Sequence, residues 1–417
     1  GGPGAAYNYG LAWVLLAMTQ VVTGYFVLMV LGKKFAIIAR KYNAITLIDF
    51  LKERYQSNWV TIIAAISIIV FLFSSMIAQW VGGARLMESI LGVSYTTALF
   101  IFAISVLIYV IIGGFRAVAI TDTIQGIVML GGTIILLIAT IVAGGGMENI
   151  MTELKHQNPI LFSPYGADSS LTPLYISSFW ILVGVGVVGL PQIAVRAMSY
   201  KNANAMHRAI IIGTIVIGVI MFGMHLIGVL ARAIVPGIEN ADTVMPIITM
   251  KVLPAWAAGI VLSAPMAAIM STVNSVLILV SSAVVKDVYI GFVDKNASVK
   301  KVKQISFWST TIIGVAVVIL SIHPPDLLIW LNLFSFGGLE AVFIWPIVMG
   351  LYWKTGNKFG AITSMIVGMA SYIYLDRFHP NLFGMHTVVI PIFLSFLMFI
   401  FVSLLTKSKV TNYVLYL

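Results

Sequence analysis

The segment from Pro254 to Val285 contains no charged side chain. It is long enough to cross a bilayer as a helix, which takes about 20 apolar residues. Similar runs recur along the whole chain, in which 60% of the residues are hydrophobic and only 9% are charged. This composition excludes a soluble globular domain and predicts an all-α, polytopic membrane protein.

Three oxygen-bearing positions lie near the middle of this apolar segment. Ala268, Ser271 and Thr272 are spaced i, i+3 and i+4, so a helix places the Ala268 carbonyl and both hydroxyls on one face. One interpretation is close helix packing, with each hydroxyl bonded to a carbonyl one turn back. The other is a partial site for a small hard cation, which binds neutral carbonyl and hydroxyl oxygens. In that case another helix supplies the remaining ligands.

Further apolar runs predict the other membrane spans. The predicted spans are residues 10–31, 59–83, 96–112, 123–143, 174–195, 210–230, 254–285, 307–322, 327–353, 359–374 and 388–405. Residues 33–58 are predicted to form a basic, partly amphipathic loop, and residues 144–173 form a polar stretch between two groups of spans.

The basic residues predict an orientation. When loop 33–58 is placed in the cytoplasm, most of the 24 Lys and Arg residues lie on that side. The exceptions are Arg85, Lys155, Arg232, Lys251 and Arg377. This bias follows the positive-inside rule and also places the C-terminus in the cytoplasm. No aromatic-interleaved basic patch indicates nucleic acid, and the absence of cysteine excludes thiol chemistry.

Two helix breaks mark the two groups of spans. A Gly-x-Pro sequence occurs at Gly1-Gly2-Pro3 and again at Gly189-Leu190-Pro191. Paired breaks at corresponding positions are typical of inverted-repeat transporters, although each can also be an ordinary proline kink. We expect a first repeat over 1–145, a second over 174–353 and additional helices over 354–417. The start at Gly1, inside a membrane segment, predicts that part of the N-terminus precedes this chain.

Several motifs resemble those of a known family. Residues 92–117, which end in Gly113-Gly114-Phe115-Arg116-Ala117, resemble the signature of the sodium:solute symporters, and residues 360–368 resemble a second pattern of that family. In this second pattern Thr355 stands where the family normally has Lys or Arg. Residues 1–7, 81–86, 221–226, 264–272 and 337–343 resemble the pantothenate-importing members. The resemblance covers nearly the whole chain.

The resemblance implies a leucine-transporter-type fold of two five-helix inverted repeats with extra helices. It implies a Na⁺ site between the first and eighth core helices, with Ala268, Ser271 and Thr272 as the eighth-helix ligands and their partners before Gly1. It also places Asp122 near the sodium exit path, although a carboxylate in a first helical turn also interacts favourably with the helix dipole.

The substrate site is predicted from the same resemblance and from one carboxylate. The resemblance implies Gln79, Trp80, Gly186, Gly189 and Pro191 as substrate-site residues. Glu340 joins them because an ionised carboxylate in mid-membrane is costly and usually functional, although it can also remain protonated and bond to a neighbouring helix.

These features together predict a sodium-coupled symporter that works by alternating access in the bacterial plasma membrane. The expected substrate is pantothenate or a similar small organic anion, Na⁺ is the coupling ion, and neither an enzymatic activity nor a cofactor is expected. Exposed N–H groups at the helix breaks near Pro3 or Pro191 are expected to meet the anion. The alternatives are a symporter for an amino acid, another carboxylate or a sugar, or a non-transporting sensor on the same scaffold.

Overall fold

A computed structural model describes residues 1–167, 170–198, 200, 202–324 and 327–407, and between residues 109 and 122 it describes the helical backbone alone. This described part is almost entirely helical and has no β-strand. The α-helices are α1 (Gly2–Tyr9), α2 (Leu11–Met18), α3 (Thr23–Val27), α4 (Lys33–Tyr42), α5 (Leu47–Tyr55), α6 (Asn58–Leu91), α7 (Tyr95–Ala143), α8 (Met147–Gln157), α9 (Pro173–Phe179), α10 (Pro191–Met198), α11 (Ala203–Ile234), α12 (Val244–Val252), α13 (Ala255–Ser282), α14 (Val299–Ser321), α15 (Leu328–Tyr352), α16 (Lys358–Phe378) and α17 (Val389–Leu405). Short 3₁₀ or π segments are Thr19–Val22, Leu28–Gly32, Pro159–Phe162, Trp180–Val185, Gly186–Gly189, Ala241–Thr243, Ala283–Val293 and Leu382–Gly384.

The membrane spans agree with the sequence prediction. Within the described part, 8 helical stretches are long and apolar enough to cross a bilayer, or up to 9 if a bent pair forms one span. Two shorter apolar stretches are Tyr95–Ile108, which is the first part of α7, and Val389–Leu405, which is α17. Each predicted span has a helical counterpart, but spans 96–112 and 123–143 were predicted as separate and fall in the single helix α7. The prediction of a polytopic helical membrane protein is confirmed.

The region predicted as a basic loop, residues 33–58, is mostly helical. Helix α4 continues from the preceding span because its apolar face, including Phe35 and Ile38, is buried against the core. Helix α5 begins with a capping box in which Thr46 Oγ1 accepts from Asp49 N at 3.1 Å and Asp49 Oδ2 accepts from Thr46 N at 3.0 Å. The prediction of a loop here was wrong. The basic residues that suggested a loop alternate with the apolar residues of α4, which form a buried stripe only when the segment is helical.

The break predicted at Gly189-Leu190-Pro191 is present. The helix that starts at Pro173 ends in a 3₁₀ turn at Gly189, and α10 then restarts at Pro191 with its axis turned by 52°. Leu190 has an extended backbone (φ −81°, ψ 122°) because the proline ring excludes the helical conformation for the residue before it. The chain therefore unwinds at one residue inside a membrane span.

Helix α15 forms the centre of the packing. Within its apolar window 72% of the residues are buried, the highest share among the candidate spans. It packs against α6, α16 and the turn Gly186–Gly189. The approach to α6 depends on Gly338, where an added Cβ would lie 2.1 Å from the Phe71 ring. A larger residue at this position would have to displace the Phe71 ring or α15 itself.

Candidate functional site

The predicted cation cluster lies in the middle of α13, which packs against α6 and α7. Ala268, Ser271 and Thr272 are all partly exposed. Thr272 Oγ1 donates to the Ala268 carbonyl one turn back at 3.0 Å. This is the bond expected from the packing interpretation, but the Thr272 hydroxyl oxygen keeps its own lone pairs as acceptors after it forms. Both interpretations of the cluster therefore remain compatible with the geometry.

One polar side chain next to this cluster was not singled out from the sequence. Asn274 is fully buried, and neither its amide oxygen nor its amide nitrogen has a hydrogen-bond partner among the described residues. It follows Ser271 by three positions, which places it one turn along a similar side of α13. An amide inside an apolar span was the available signal, because buried polar groups normally need partners.

A small cavity touches the same helix at Ala268. Its volume is about 20 Å³, which is enough for about one water molecule, and its wall includes Ala268, Thr133 and Thr249. Both threonine hydroxyls donate to carbonyls of their own helices, at 2.8 Å and 2.7 Å. Ser271 and Thr272 are not part of this mainly apolar wall. A cation held by those two hydroxyls would thus lie outside this cavity.

The structure brings Glu340 to the helix break. An added Cβ on Gly186 would lie 2.4 Å from Glu340 Oε2, and one on Gly189 would lie 3.1 Å from Glu340 Cα. Glu340 is fully buried, and its two carboxyl oxygens have no hydrogen-bond partner within the described part of the chain. An ionised carboxylate left unpaired in such a place costs several kcal/mol. The unpaired position therefore favours the protonated form of the carboxyl over the ionised one.

The other predicted substrate residues lie elsewhere. Gln79 Nε2 donates to Asn332 Oδ1 at 3.4 Å, and Ser75 Oγ donates to the same oxygen at 3.2 Å. Asn332 precedes Glu340 by about 12 Å along α15. Trp80 is fully buried and packs edge-on against Phe102 of α7, with ring centroids 6.2 Å apart. The structure therefore brings Gly186 and Gly189 against Glu340, with Pro191 two residues further along the chain, and places Gln79 and Trp80 elsewhere.

Few free donors remain where α10 begins. Pro191 has no N–H group, and the N–H groups of Ile193 and Ala194 both donate to the Leu190 carbonyl, at 3.1 Å and 2.9 Å. The Gln192 N–H makes no backbone bond among the described residues, so it is the donor that this break can offer an anion unless the first turn of α10 opens.

A larger cavity lies beside the ends of several helices. Its volume is about 450 Å³, within the usual range for small-molecule sites, and it lies between the ends of α1 and α16 and the starts of α9 and α15. Its wall combines aromatic rings with polar groups and includes Tyr9, Tyr175, Trp330, Phe334, Tyr372, Asp376, Asn381, His386 and Thr387. The sequence analysis missed it because its wall comes from distant segments.

His386 contributes a neutral ring to this cavity. It lies in the connection between α16 and α17, where burial lowers its pKa to about 4. The Val388 N–H donates to His386 Nδ1 at 3.2 Å, so the neutral ring carries its proton on Nε2. The described lining contains no Lys or Arg, and Asp376 is its carboxylate. An anion in this cavity would rely on neutral donors.

Tyr372 links this cavity to Glu340. Its hydroxyl donates to the Leu333 carbonyl at 3.3 Å, and its ring packs over Gly337, where an added Cβ would lie 2.5 Å from the phenol oxygen. Glu340 follows Gly337 by three residues, about 4.5 Å further along α15. The wall of the cavity therefore lies about one helical turn from the buried carboxyl. The side chain of Asp122 lies outside the described residues, and its place on a sodium path stays a prediction.

Comparison with known proteins gives the family. The sodium:solute symporter family matches residues 1–368. The chain is 49% identical to the sodium/pantothenate symporter of Haemophilus influenzae over 392 residues, which cover 93% of this chain and 81% of that protein. It is also 49% identical to the sodium/pantothenate symporter of Escherichia coli, with coverage of 96% and 83%. The osmoregulated proline transporter OpuE of Bacillus subtilis is 30% identical, with coverage of 98% and 84%.

A solved structure gives the fold. The chain matches an outward-open, substrate-bound Na⁺-coupled sialic acid symporter with a TM-score of 0.74 at 17% identity, over 99% of this chain and 89% of that one. The predicted leucine-transporter-type helical fold is confirmed, and the chain is a multi-pass membrane protein. On these matches, the chain belongs to the sodium:solute symporter family.

Proposed function

We propose that this chain imports pantothenate together with sodium by alternating access. The identity of 49% to two pantothenate symporters, against 30% to a proline transporter of similar coverage, is the observation that carries the proposal. The chain performs no chemistry on its substrate and needs no cofactor. The inward sodium gradient and the membrane potential supply the work. The potential contributes about 2.3 kcal/mol per charge per 100 mV.

The proposed sodium site includes Ala268, Ser271 and Thr272. Support comes from their position on one face of α13 and from the partial exposure of all three residues. Sodium bound there favours the conformation that binds substrate, and by reciprocal linkage the substrate then tightens sodium binding. Asp122 is proposed to assist release of the ion on the cytoplasmic side.

The proposed substrate route starts in the 450 Å³ cavity and leads past Tyr372 to the helix break. Protonated Glu340 can donate a hydrogen bond to a carboxylate, which an ionised Glu340 would repel. This role requires Gly186 and Gly189 to move away from the carboxyl, as expected of an unwound segment. Gln79 and Trp80 would contribute from α6.

The proposed architecture keeps the division into repeats over 1–145 and 174–353 with added helices over 354–417, and a cytoplasmic C-terminus. Ser298, the N-cap of α14, tests this orientation because it lies on the side rich in basic residues. A Ser298→Cys variant should resist an impermeant thiol reagent in intact cells and react after permeabilisation. Equal labelling in both conditions would contradict the orientation.

Uptake into proteoliposomes tests the function. Radiolabelled pantothenate should accumulate with an inward sodium gradient and stay near background without one. Excess unlabelled pantothenate should abolish the signal, whereas proline should have no effect. Uptake blocked by proline but not by pantothenate would reassign the substrate, and the absence of any sodium-driven uptake would favour a sensor.

A further inference from the structure

Asp242 is a buried carboxylate in the connection between α11 and α12. Its side chain is only 3% exposed, and it lies in the 3₁₀ turn Ala241–Thr243. Asn240 shapes this turn, because its Oδ1 accepts from the Asp242 N–H at 3.0 Å and its carbonyl accepts from the Thr243 hydroxyl at 2.7 Å. A buried carboxylate is costly unless hydrogen bonds compensate it, so its partners indicate its role.

Both oxygens of this carboxylate accept hydrogen bonds from helix starts. Oδ1 accepts from the nitrogen of Gly1, the N-cap of α1, at 2.5 Å. In a longer chain this nitrogen is a peptide N–H, which donates in the same way. Oδ2 accepts from the N–H of Leu328, the first residue of α15, at 2.9 Å. The first N–H groups of a helix have no partner within the helix, so one carboxylate caps two helices that are far apart in sequence.

Close backbone packing holds the turn against α1. An added Cβ on Gly4 would lie 2.3 Å from the Ala241 carbonyl oxygen and 3.2 Å from the Asp242 nitrogen. Helix α1 also packs closely on α11, where an added Cβ on Gly228 would lie 2.2 Å from the Pro3 carbonyl oxygen. The position of the carboxylate is therefore set by backbone contacts, which leave little room for movement.

The same connection reaches the proposed sodium cluster. Helix α12 follows the turn, and its Met245 lines the 20 Å³ cavity together with Ala268 of α13. The side chains of Leu328 and Ile269 meet at Gly82 of α6, where an added Cβ would lie 3.3 Å from the first and 3.6 Å from the second. Ile269 directly follows Ala268 in the sequence. Elements on both sides of the carboxylate therefore lie beside the start of the cluster.

We propose that Asp242 is a positioning residue of the sodium site, which holds the starts of α1 and α15 in the arrangement that binds the ion. The inference rests on the proposed sodium site. A binding site gains affinity when its parts are ordered before the ligand arrives, because the ordering then costs nothing on binding. Since both carboxylate oxygens already accept from N–H groups, we assign Asp242 this positioning role and not coordination of the ion.

The test is the sodium concentration for half-maximal uptake of pantothenate by the full-length protein in proteoliposomes. Asp242→Ala removes both bonds and should raise this concentration about tenfold, the change expected when a hydrogen bond to a charged group is lost. Asp242→Asn keeps the shape and one acceptor oxygen, so its shift should be smaller. The half-maximal concentration does not depend on the amount of folded protein, so a purely structural defect would lower only the maximal rate.

A second measurement needs no substrate. Sodium that binds the folded protein raises its Tm, and titration of this effect with the purified full-length protein gives a midpoint for sodium alone. Asp242→Ala should shift this midpoint as it shifts the uptake. A wild type that imports no pantothenate but keeps the midpoint would contradict the substrate and not the role of Asp242. A wild type without any sodium response would overturn the sodium site and this inference together.

Glu239 provides the matched control, because it is an exposed acidic residue in the same connection. Glu239→Ala should leave the sodium midpoint unchanged. Asn240→Ala loosens the turn but keeps the carboxylate, so it should shift the midpoint in the same direction as Asp242→Ala and by less. Asp242→Asn and Asn240→Ala decide the question if Asp242→Ala does not fold. The proposal is overturned if the folded Asp242 variants keep the wild-type midpoint, or if Glu239→Ala shifts it equally.

Discussion

Helices α13 and α15 both carry polar oxygen atoms inside a membrane span, but these oxygens differ in charge, exposure and hydrogen bonding. On α13 the oxygens are neutral, the residues that carry them are partly exposed, and Thr272 Oγ1 bonds to the Ala268 carbonyl of its own helix. On α15 the oxygens belong to Glu340, which is fully buried and has no hydrogen-bond partner within the described residues.

The difference separates two ways to keep polar atoms in a membrane protein. Hydroxyls that bond within their own helix cost little without a ligand, so the α13 cluster can alternate between an occupied and an empty state. A buried carboxyl without partners costs much more if it ionises, so Glu340 must carry a proton or move to a partner. The comparison predicts that substitutions in the α13 cluster change the sodium dependence of uptake. Substitutions around Glu340 on α15 are predicted to change the stability of the protein.

The largest effect is expected from removal of the α13 hydroxyls. If Ser271 and Thr272 coordinate sodium, each Ala variant loses a charge-assisted contact of about 1.5–3 kcal/mol, a loss of roughly 10- to 150-fold in affinity. The double variant Ser271→Ala/Thr272→Ala should bind sodium more weakly than either single variant. The measurement is the sodium concentration for half-maximal uptake by the full-length protein.

Ser263 is the matched control, because it is an exposed serine on the same helix whose hydroxyl donates to the Ile260 carbonyl at 2.6 Å. Ser263→Ala should leave sodium dependence unchanged. A well-expressed double variant with wild-type sodium dependence would contradict the cation site. Helix packing would then explain the cluster, because Ala is the best helix former and should pack almost as well.

The same two helices show how far the sequence could lead. The spans were predictable because apolar length is a local property, and the break at Pro191 was predictable from proline stereochemistry. The contact of Gly186 with Glu340 was not, because the two residues are far apart in sequence and meet only when α15 packs on the broken helix. The cavity around Tyr372 and His386 is formed by equally distant segments. Local patterns predict elements, whereas contacts between them depend on packing.

A substitution at Gly186 tests the packing of α15 against the break. An added Cβ would lie 2.4 Å from both Glu340 Oε2 and the Ile181 carbonyl oxygen, so Gly186→Ala should destabilise the protein by about 1–3 kcal/mol and abolish most uptake. Gly213→Ala in α11 is the control, since nothing lies within 4 Å of its added Cβ. Thermal unfolding and pantothenate uptake measure the effect. Gly186→Ala with wild-type stability would show that α15 is not fixed at this contact.

A smaller effect is expected where α13 meets α5. Lys286 Nζ lies 2.5 Å from Asp49 Oδ2, in the π segment that continues α13. Burial acts to raise the pKa of Asp49, but the hydrogen bonds from Lys286, Ile45 and Thr46 lower the pKa overall. Because the pKa of Asp49 is lower in the folded than in the unfolded state, its ionisation stabilises the protein at pH values above the unfolded pKa of about 3.9. This stabilisation is lost as the pH falls through the folded-state pKa.

Asp49→Asn keeps the acceptor oxygen for the backbone and removes the charge. Because both side chains are partly exposed, at 38% and 21%, the loss at pH 7 should be only about 0.5–1 kcal/mol. The difference in Tm from the wild type should shrink as the pH falls below about 4. Asp294→Asn, in the exposed pair with Lys301 at 3.1 Å, is the control and should change little. A pH-independent loss would assign the effect to the shape of the side chain rather than to its charge.

The smallest effect is expected from Glu340→Gln, and it decides whether the carboxyl is protonated. Gln has nearly the same shape as a protonated Glu and is also neutral, so the change in stability should be small compared with the effect of removing an unpaired buried charge. If Glu340 were ionised, the same variant would remove an unpaired buried charge and raise stability by several kcal/mol. Glu340→Ala provides the scale, because it leaves a cavity beside Gly186 and should lower the Tm clearly. A Gln variant much more stable than the wild type would show that Glu340 is ionised. The contrast with α13 would then fail, because both helices would carry groups suited to bind a cation.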